Sequence, residues 1–208
     1  AFFAGSLLAA LAQGVMIGQL IVGFDHGPVA LLFSAFIGIC LTSGYALLGA
    51  SWLVMKTEGS LQQRAVSWAR RAAWLTGAGI AAVSVATPLV SPAIFHRWFA
   101  LPQIIGLLPI PVMTLGLFAL LMIFLTRLDA DTLRANRRGL KRWSWAPFAA
   151  SVGLFVLAFL GLAYSLFPHL VPDRITIWDA ASAPESLQLV LYGVVVVLPA
   201  IIAYNVFG

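Results

Sequence analysis

Charged residues are scarce in this chain of 208 residues, where Asp, Glu, Lys and Arg together make up 9% of the sequence. A water-soluble domain carries roughly 25% of them. Hydrophobic residues make up 62%, and a globular protein of this length has too little interior to bury that much apolar surface. The composition therefore excludes a soluble fold and predicts an integral membrane protein.

The chain also lacks cysteine pairs and clusters of metal ligands. Cys40 is the single cysteine, so no internal disulfide can form. No Cys and His residues have the spacing of a metal site, and no glycine-rich phosphate loop follows a strand pattern. The net charge is +5, but the basic residues are concentrated in two short segments between apolar runs. This distribution is typical of membrane orientation, and we expect no nucleic-acid binding.

Long apolar runs are what the sequence does have. Six of them are each long enough to cross a hydrocarbon core of about 30 Å, and none has a charged residue in its middle. They predict an all-α membrane protein with one transmembrane domain over 1–208. The predicted spans are about 1–23, 30–55, 72–91, 104–126, 146–167 and 187–207.

The basic residues predict the orientation of these spans. The connection 56–71 holds four Lys or Arg residues and the connection 127–145 holds six, whereas the other three connections hold two between them. Cytoplasmic loops carry the excess of Lys and Arg in bacterial membrane proteins. Loops 56–71 and 127–145 and the C-terminus are therefore predicted to be cytoplasmic.

Two motifs are more specific than composition. Tyr45–Gly59, YALLGASWLVMKTEG, is an apolar helix pattern that stops at a lysine, a glutamate and a glycine. Ile175–Ala181, ITIWDAA, lies in the last long connection, more than a hundred residues later. In this order the two motifs resemble those of subunit II of cytochrome bd-type quinol oxidases, including the cyanide-insensitive oxidase branch.

The resemblance implies a function. The family's complex oxidises quinol, reduces dioxygen to water and contributes to the proton gradient across the bacterial cytoplasmic (inner) membrane. Haems b and d belong to subunit I in that family, so this chain is expected to bind no cofactor and to act as a haem-free scaffold. The implied partners are subunit I and membrane lipids, with small accessory subunits left open.

The resemblance also implies a fold. The family's subunit has nine helices, arranged as two four-helix bundles plus a peripheral helix. The six predicted spans would correspond to the last six helices, and the chain would be a fragment that lacks the N-terminal ones.

The motif residues are candidates for a structural role or for contact with another subunit. They are Tyr45, Trp52, Lys56, Glu58, Gly59, Trp178 and Asp179. Lys56 and Glu58 have two interpretations, a helix end at the membrane surface or a docking element for another subunit. Asp179 could cap a tight loop by accepting backbone N–H bonds, or it could pack with Trp178 against the partner.

Few residues inside the spans could carry chemistry. Gln13 lies in the middle of the first span, where it could bridge to a neighbouring helix or line a polar path. His26, His96 and His169 lie at or beyond the ends of spans, whereas a haem buried between helices needs its ligand within one. We therefore predict no catalytic residue, haem ligand or metal ligand in this chain.

A different class of function also fits the spans. A secondary transporter, or an orphan membrane scaffold, could use proline-interrupted helices and a midplane amide as a solute path. Against a transporter, no charged residue lies at mid-membrane and no internal repeat is visible.

Overall fold

A computed structural model describes residues 2–101, 103–133, 142–172 and 174–207. Its helices and strands follow in chain order: α1 Phe2–Ile21, α2 Pro28–Lys56, α3 Ser60–Val90, α4 Pro92–Phe99, α5 Gln103–Leu107, α6 Pro109–Leu133, α7 Ala146–Leu166, β1 His169–Val171, β2 Ile175–Thr176 and α8 Pro184–Phe207. The two short strands form an antiparallel hairpin.

Six helices of the described part are long and apolar enough to cross a membrane: α1, α2, α3, α6, α7 and α8. The prediction of an all-α membrane protein with six spans is confirmed. The correspondence of these helices to the last six of a nine-helix fold stays a prediction.

Two predicted boundaries differ from the observed helices. Helix α3 begins at Ser60, so most of the predicted connection 56–71 is helical and only residues 57–59 join α2 to α3. The helix continues past the apolar run because Ala65, Val66 and Ala69 on one side of it are fully buried. Helix α6 extends to Leu133, and residues 134–141 of the predicted connection 127–145 lie outside the described part.

Helices α2, α3, α6 and α7 form a four-helix bundle in which each packs against two of the others. One apolar cluster fills the end of the bundle near the α2–α3 connection, and its fully buried large side chains include Leu47, Val54, Leu121, Leu125 and Leu128. We call this the basic end, because Lys56 and the first turns of α3 lie there. A second cluster lies at the opposite end, called the hairpin end, and consists of Ile21, Phe33, Ile37, Ile94 and Leu166.

Helix α1 lies outside this bundle, packed along α2. A Cβ added at Gly14 would lie 2.5 Å from the Cα of Gly38, and one added at Gly18 would lie 2.4 Å from the Cα of Ser34. The two backbones can approach this closely only because glycine has no side chain, so the small residues of α1 and α2 form a helix-packing seam.

Helix α8 differs from the other spans in its exposure. Every side chain described in it, residues 184–204, is exposed. Its apolar surface is therefore not covered by the part of the chain that the structure describes.

Candidate functional site

The first motif forms a closed turn at the basic end. The Thr57 hydroxyl donates to the carbonyl of Leu53 at 2.7 Å, and the Gln62 side-chain amide donates to the carbonyl of Val54 at 2.9 Å. The Val54 carbonyl, which the end of α2 would leave without a backbone partner, is thus satisfied. The Leu53 carbonyl accepts the Thr57 backbone N–H at 3.0 Å in addition to the hydroxyl. Gly59 has φ 70° and ψ −140°, a conformation that costs little only for glycine. The turn therefore requires the glycine of the motif.

The two charges of this turn remain available at the surface. The Lys56 ammonium lies 5.0 Å from the centroid of the Trp52 ring, a cation–π distance. Glu58 is exposed and has no hydrogen-bond or ion-pair partner among the described residues. The geometry places Lys56 at the C-terminus of α2, as a helix end requires, and leaves the Glu58 carboxylate free for a partner.

Tyr45 and Trp52 connect α2 to α7 through aromatic contacts. The Tyr45 ring stacks on Phe155 with centroids 5.6 Å apart, and Trp52 meets Phe148 edge-on at 5.1 Å. Tyr45 is 39% and Trp52 44% exposed, so both rings also contribute to the outer surface. These two motif residues thus link α2 to α7 and remain accessible to another protein.

The buried interior between α2 and α7 is polar at one point. The hydroxyls of Ser51 and Ser151 lie 3.2 Å apart, and both residues are fully buried. The Ser151 hydroxyl also donates to the carbonyl of Pro147. Each hydroxyl is therefore satisfied within the protein, which is typical of hydrogen bonds between membrane helices.

Gln13 bridges α1 and α2. Its Oε1 accepts a hydrogen bond of 3.0 Å from the Tyr45 hydroxyl. Six residues further along α1, the Gln19 amide donates to the Ser34 hydroxyl at 2.9 Å. The structure thus shows Gln13 in a contact between helices, and its part in a polar path stays a prediction.

The second motif forms a tight turn at the hairpin end. The Asp179 carboxylate accepts hydrogen bonds from the Thr176 hydroxyl at 2.5 Å and from the Thr176 backbone N–H at 3.3 Å. Both bonds favour the charged carboxylate and therefore lower the pKa of Asp179 below its usual 3.8. The bond from the Thr176 hydroxyl has the larger effect. The Trp178 ring packs edge-on against Phe167 at 6.0 Å and is 65% exposed. Asp179 therefore closes the turn and Trp178 presents an aromatic surface.

The histidines do not fit a haem buried between these helices. His26 lies in the α1–α2 connection, His96 on the short helix α4 and His169 on β1. None of the three lies on a membrane-spanning helix, where the axial imidazole of such a haem would have to be. Among the described residues, no three His, Cys, Asp or Glu side chains lie close enough together to hold a metal ion.

Sequence reasoning missed three polar contacts that position the spans. They are the Gln62 bond to α2, an ion pair of 2.5 Å between Arg70 on α3 and Asp129 on α6, and a bond of 2.8 Å from the Trp98 indole on α4 to the Ser165 hydroxyl on α7. The buried Gln62 could have been found, because it lies on the same helical face as Ala65, Val66 and Ala69. The other two join residues that are distant in sequence and have no local signal.

The whole sequence matches one protein family. The family model described as cytochrome bd terminal oxidase subunit II covers residues 1–208. No curated protein sequence matches the chain at a significant level. The family match confirms the resemblance that the two motifs predicted.

Proposed function

The chain belongs to the cytochrome bd terminal oxidase subunit II family, and from this premise we propose that it is the haem-free scaffold of a quinol oxidase. Membership makes it a multi-pass bacterial membrane protein and a subunit of an oxidoreductase complex with subunit I. In the proposal, the complex couples quinol oxidation to the reduction of dioxygen to water and to formation of a proton gradient. Haems b and d are held by subunit I.

The position of the histidines carries the scaffold proposal. Bis-histidine or histidine–methionine ligation of a haem between helices requires ligands that project from spans toward each other. His26 and His96 are exposed, and all three histidines lie at the hairpin end. The spans of this chain supply apolar packing surface in place of ligands.

The two motifs supply the contacts with subunit I in this proposal. Glu58 and Lys56 present opposite charges at the basic end, and Trp178 presents an exposed ring at the hairpin end. An exposed tryptophan and a carboxylate without a partner are groups that a protein interface can cover or pair. In this proposal, segments 56–71 and 127–145 lie on the cytoplasmic side because of their Lys and Arg content. The C-terminus lies on the same side, since two spans, α7 and α8, follow the second segment.

The test is the colour of the complex. This chain is expressed together with subunit I, purified through a tag on this chain in mild detergent, and examined by reduced-minus-oxidised absorbance. We expect haem bands to co-purify, whereas a secondary transporter would be colourless. Absence of haem from gently purified protein would contradict the oxidase assignment.

The same preparation tests the haem-free role. His26→Ala, His96→Ala and His169→Ala are introduced one at a time, and all haem bands should remain because no histidine is a ligand. Selective loss of one band from an assembled complex would show that the replaced histidine binds that haem, and the scaffold proposal would be wrong.

A further inference from the structure

Helix α3 is longer than a bilayer core requires. It has 31 residues and is therefore about 46 Å long, whereas the hydrocarbon core is about 30 Å thick. The apolar run of the helix begins near residue 72, so residues 60–71, roughly 18 Å of helix, account for the excess. The first three turns of α3 therefore lie in the headgroup layer at the basic end or just outside it.

Two arginines of these turns have no counter-ion in the described chain. Arg64, Arg70 and Arg71 are all exposed, and α3 itself contains no Asp or Glu. Arg70 is paired with Asp129 on α6. Arg64 and Arg71 have neither an ion pair nor a side-chain hydrogen bond with any residue that the structure describes. Their guanidinium groups are thus available to an anion from outside the chain.

Arg64, Trp68 and Arg71 lie on one face of α3. They are spaced by four and then three residues, which places them one above another on a helix, and Trp68 is 45% exposed. Further along the helix the same face consists of exposed apolar side chains, those of Leu75, Ala78, Ala82, Val85 and Leu89. The face therefore changes from basic and aromatic in the headgroup layer to entirely apolar in the hydrocarbon core.

A phospholipid has its groups in the same order as this face. Its phosphate accepts charge-assisted hydrogen bonds from guanidinium groups, tryptophan rings lie at the level of the headgroups, and an acyl chain can cover the apolar part. Arg64 and Arg71 are about 10 Å apart along the helix axis, so two side chains of this length can reach one headgroup. A helix of another protein would need carboxylates at both arginine levels to give the same charge complementarity.

We propose that the face of α3 formed by Arg64, Trp68 and Arg71 binds an anionic phospholipid, with the headgroup on the two guanidinium groups and an acyl chain along Leu75 and Ala78. The two arginines give the site its preference for an anionic over a zwitterionic lipid. The inference requires that α3 spans the membrane, and it does not depend on the scaffold role in an oxidase.

Fluorescence quenching in nanodiscs tests the preference. Leu75→Cys in a Cys40→Ala background is labelled with bimane in the complex purified through a tag on this chain, and the complex without Leu75→Cys gives the background. Nanodiscs contain phosphatidylglycerol or phosphatidylcholine with a nitroxide on one acyl chain. Each arginine near the membrane surface favours an anionic lipid about fivefold, so we expect a relative association constant roughly 5- to 25-fold higher for phosphatidylglycerol. Equal constants would overturn the proposal, and quenching by neither lipid would overturn it by showing that protein covers the face.

Single charge removals test the role of the arginines. Arg64→Gln and Arg71→Gln should each lower the preference for phosphatidylglycerol about fivefold. Arg127→Gln is the matched control, because it removes the same charge from an exposed arginine at the same end of the bundle, on α6. It should keep the preference of the wild type. An equal loss in Arg127→Gln would show an effect of net charge alone, and an unchanged preference in both α3 variants would remove these arginines from the contact; either result contradicts the proposal. Absence of subunit I from the preparation would contradict the proposed function instead.

Discussion

The packing of α1 on α2 makes a quantitative prediction at Gly18. In Gly18→Ala, the new methyl carbon would lie 2.4 Å from the Cα of Ser34, whereas carbon atoms in contact prefer about 3.5 to 4.0 Å. The atom it meets belongs to the backbone, which cannot rotate away. The helices must therefore separate by roughly 1 Å, and this separation weakens the van der Waals contacts along the seam.

The separation also disturbs a hydrogen bond. The Gln19 amide reaches the Ser34 hydroxyl at 2.9 Å across the same seam, and hydrogen bonds between membrane helices contribute about 0.6 kcal/mol on average and up to about 1.7. Overpacking of a close contact costs about 1 to 3 kcal/mol. We expect Gly18→Ala to destabilise the α1–α2 contact by about 2 to 4 kcal/mol.

Thermal unfolding of the purified complex measures this effect. The midpoint is followed by loss of the monodisperse peak in size-exclusion chromatography after heating. Gly49→Ala on α2 is the control, since a Cβ there would meet nothing within 4 Å. Gly18→Ala should unfold at clearly lower temperature than wild type and Gly49→Ala should not. Equal midpoints for the two variants would refute the inference that the backbones are in contact at Gly18.

Four other predictions follow from the charged and polar groups. In a Cys40→Ala background, cysteines replacing Arg64 and Arg137 should be shielded from an impermeant thiol reagent added to intact cells, and a cysteine replacing Ser182 should react. Labelling at position 64 or 137 would show that the predicted orientation is wrong. Glu58→Gln should lower the subunit I that co-purifies, and the control Glu185→Gln, another exposed carboxylate, should not; equal yields would remove Glu58 from the interface. A double-mutant cycle on Arg70→Ala and Asp129→Ala should give a coupling free energy of about 0.2 to 1 kcal/mol for this ion pair, because the side chains are 44% and 30% exposed. A coupling free energy above about 2 kcal/mol would show that the pair is much less accessible to water than these exposures indicate. Thr176→Val should raise the pKa of Asp179 toward 3.8, measured by carbon NMR of labelled carboxylates in nanodiscs. Because the pKa of Asp179 is lowered in the folded protein, its stabilisation of the turn is present above pH 3.8 and is lost only as the pH falls through the lower folded pKa. An unchanged pKa of Asp179 in the variant would show that Thr176 does not cause the lowering.

The helix ends show why boundaries are harder to predict than spans. The apolar run of α3 predicts a start near residue 72, but the helix begins at Ser60 because Ala65, Val66 and Ala69 pack against the bundle. A lipid-facing segment is recognised by hydropathy alone. A segment that is buried on one side by other helices has an amphipathic pattern, and its extent depends on how far the neighbouring helices reach.

In the candidate site, too, the sequence predicts the presence of a feature, whereas the structure shows which residues form its contacts. The KTEG motif predicts a helix end, and Gly59 occupies the strained position that such a turn requires. At that end the Val54 carbonyl is capped by Gln62 on the next helix, and the bond between Thr176 and Asp179 makes the second motif a turn. Motif spacing indicates that these segments are special, but the partner of each polar atom depends on the local conformation.

The sequence by itself determined the class, the number of spans and the family. Apolar length, absence of mid-span charge and two motifs are properties of single segments, and the hydrocarbon thickness makes segment length decisive. Only the tertiary structure decided which helices touch and at which rotation. Tyr45 meets Gln13 across 32 residues and Ser51 meets Ser151 across 100. These pairs depend on the register and rotation of one helix against another, which are set by the fit of small residues such as Gly18 against Ser34.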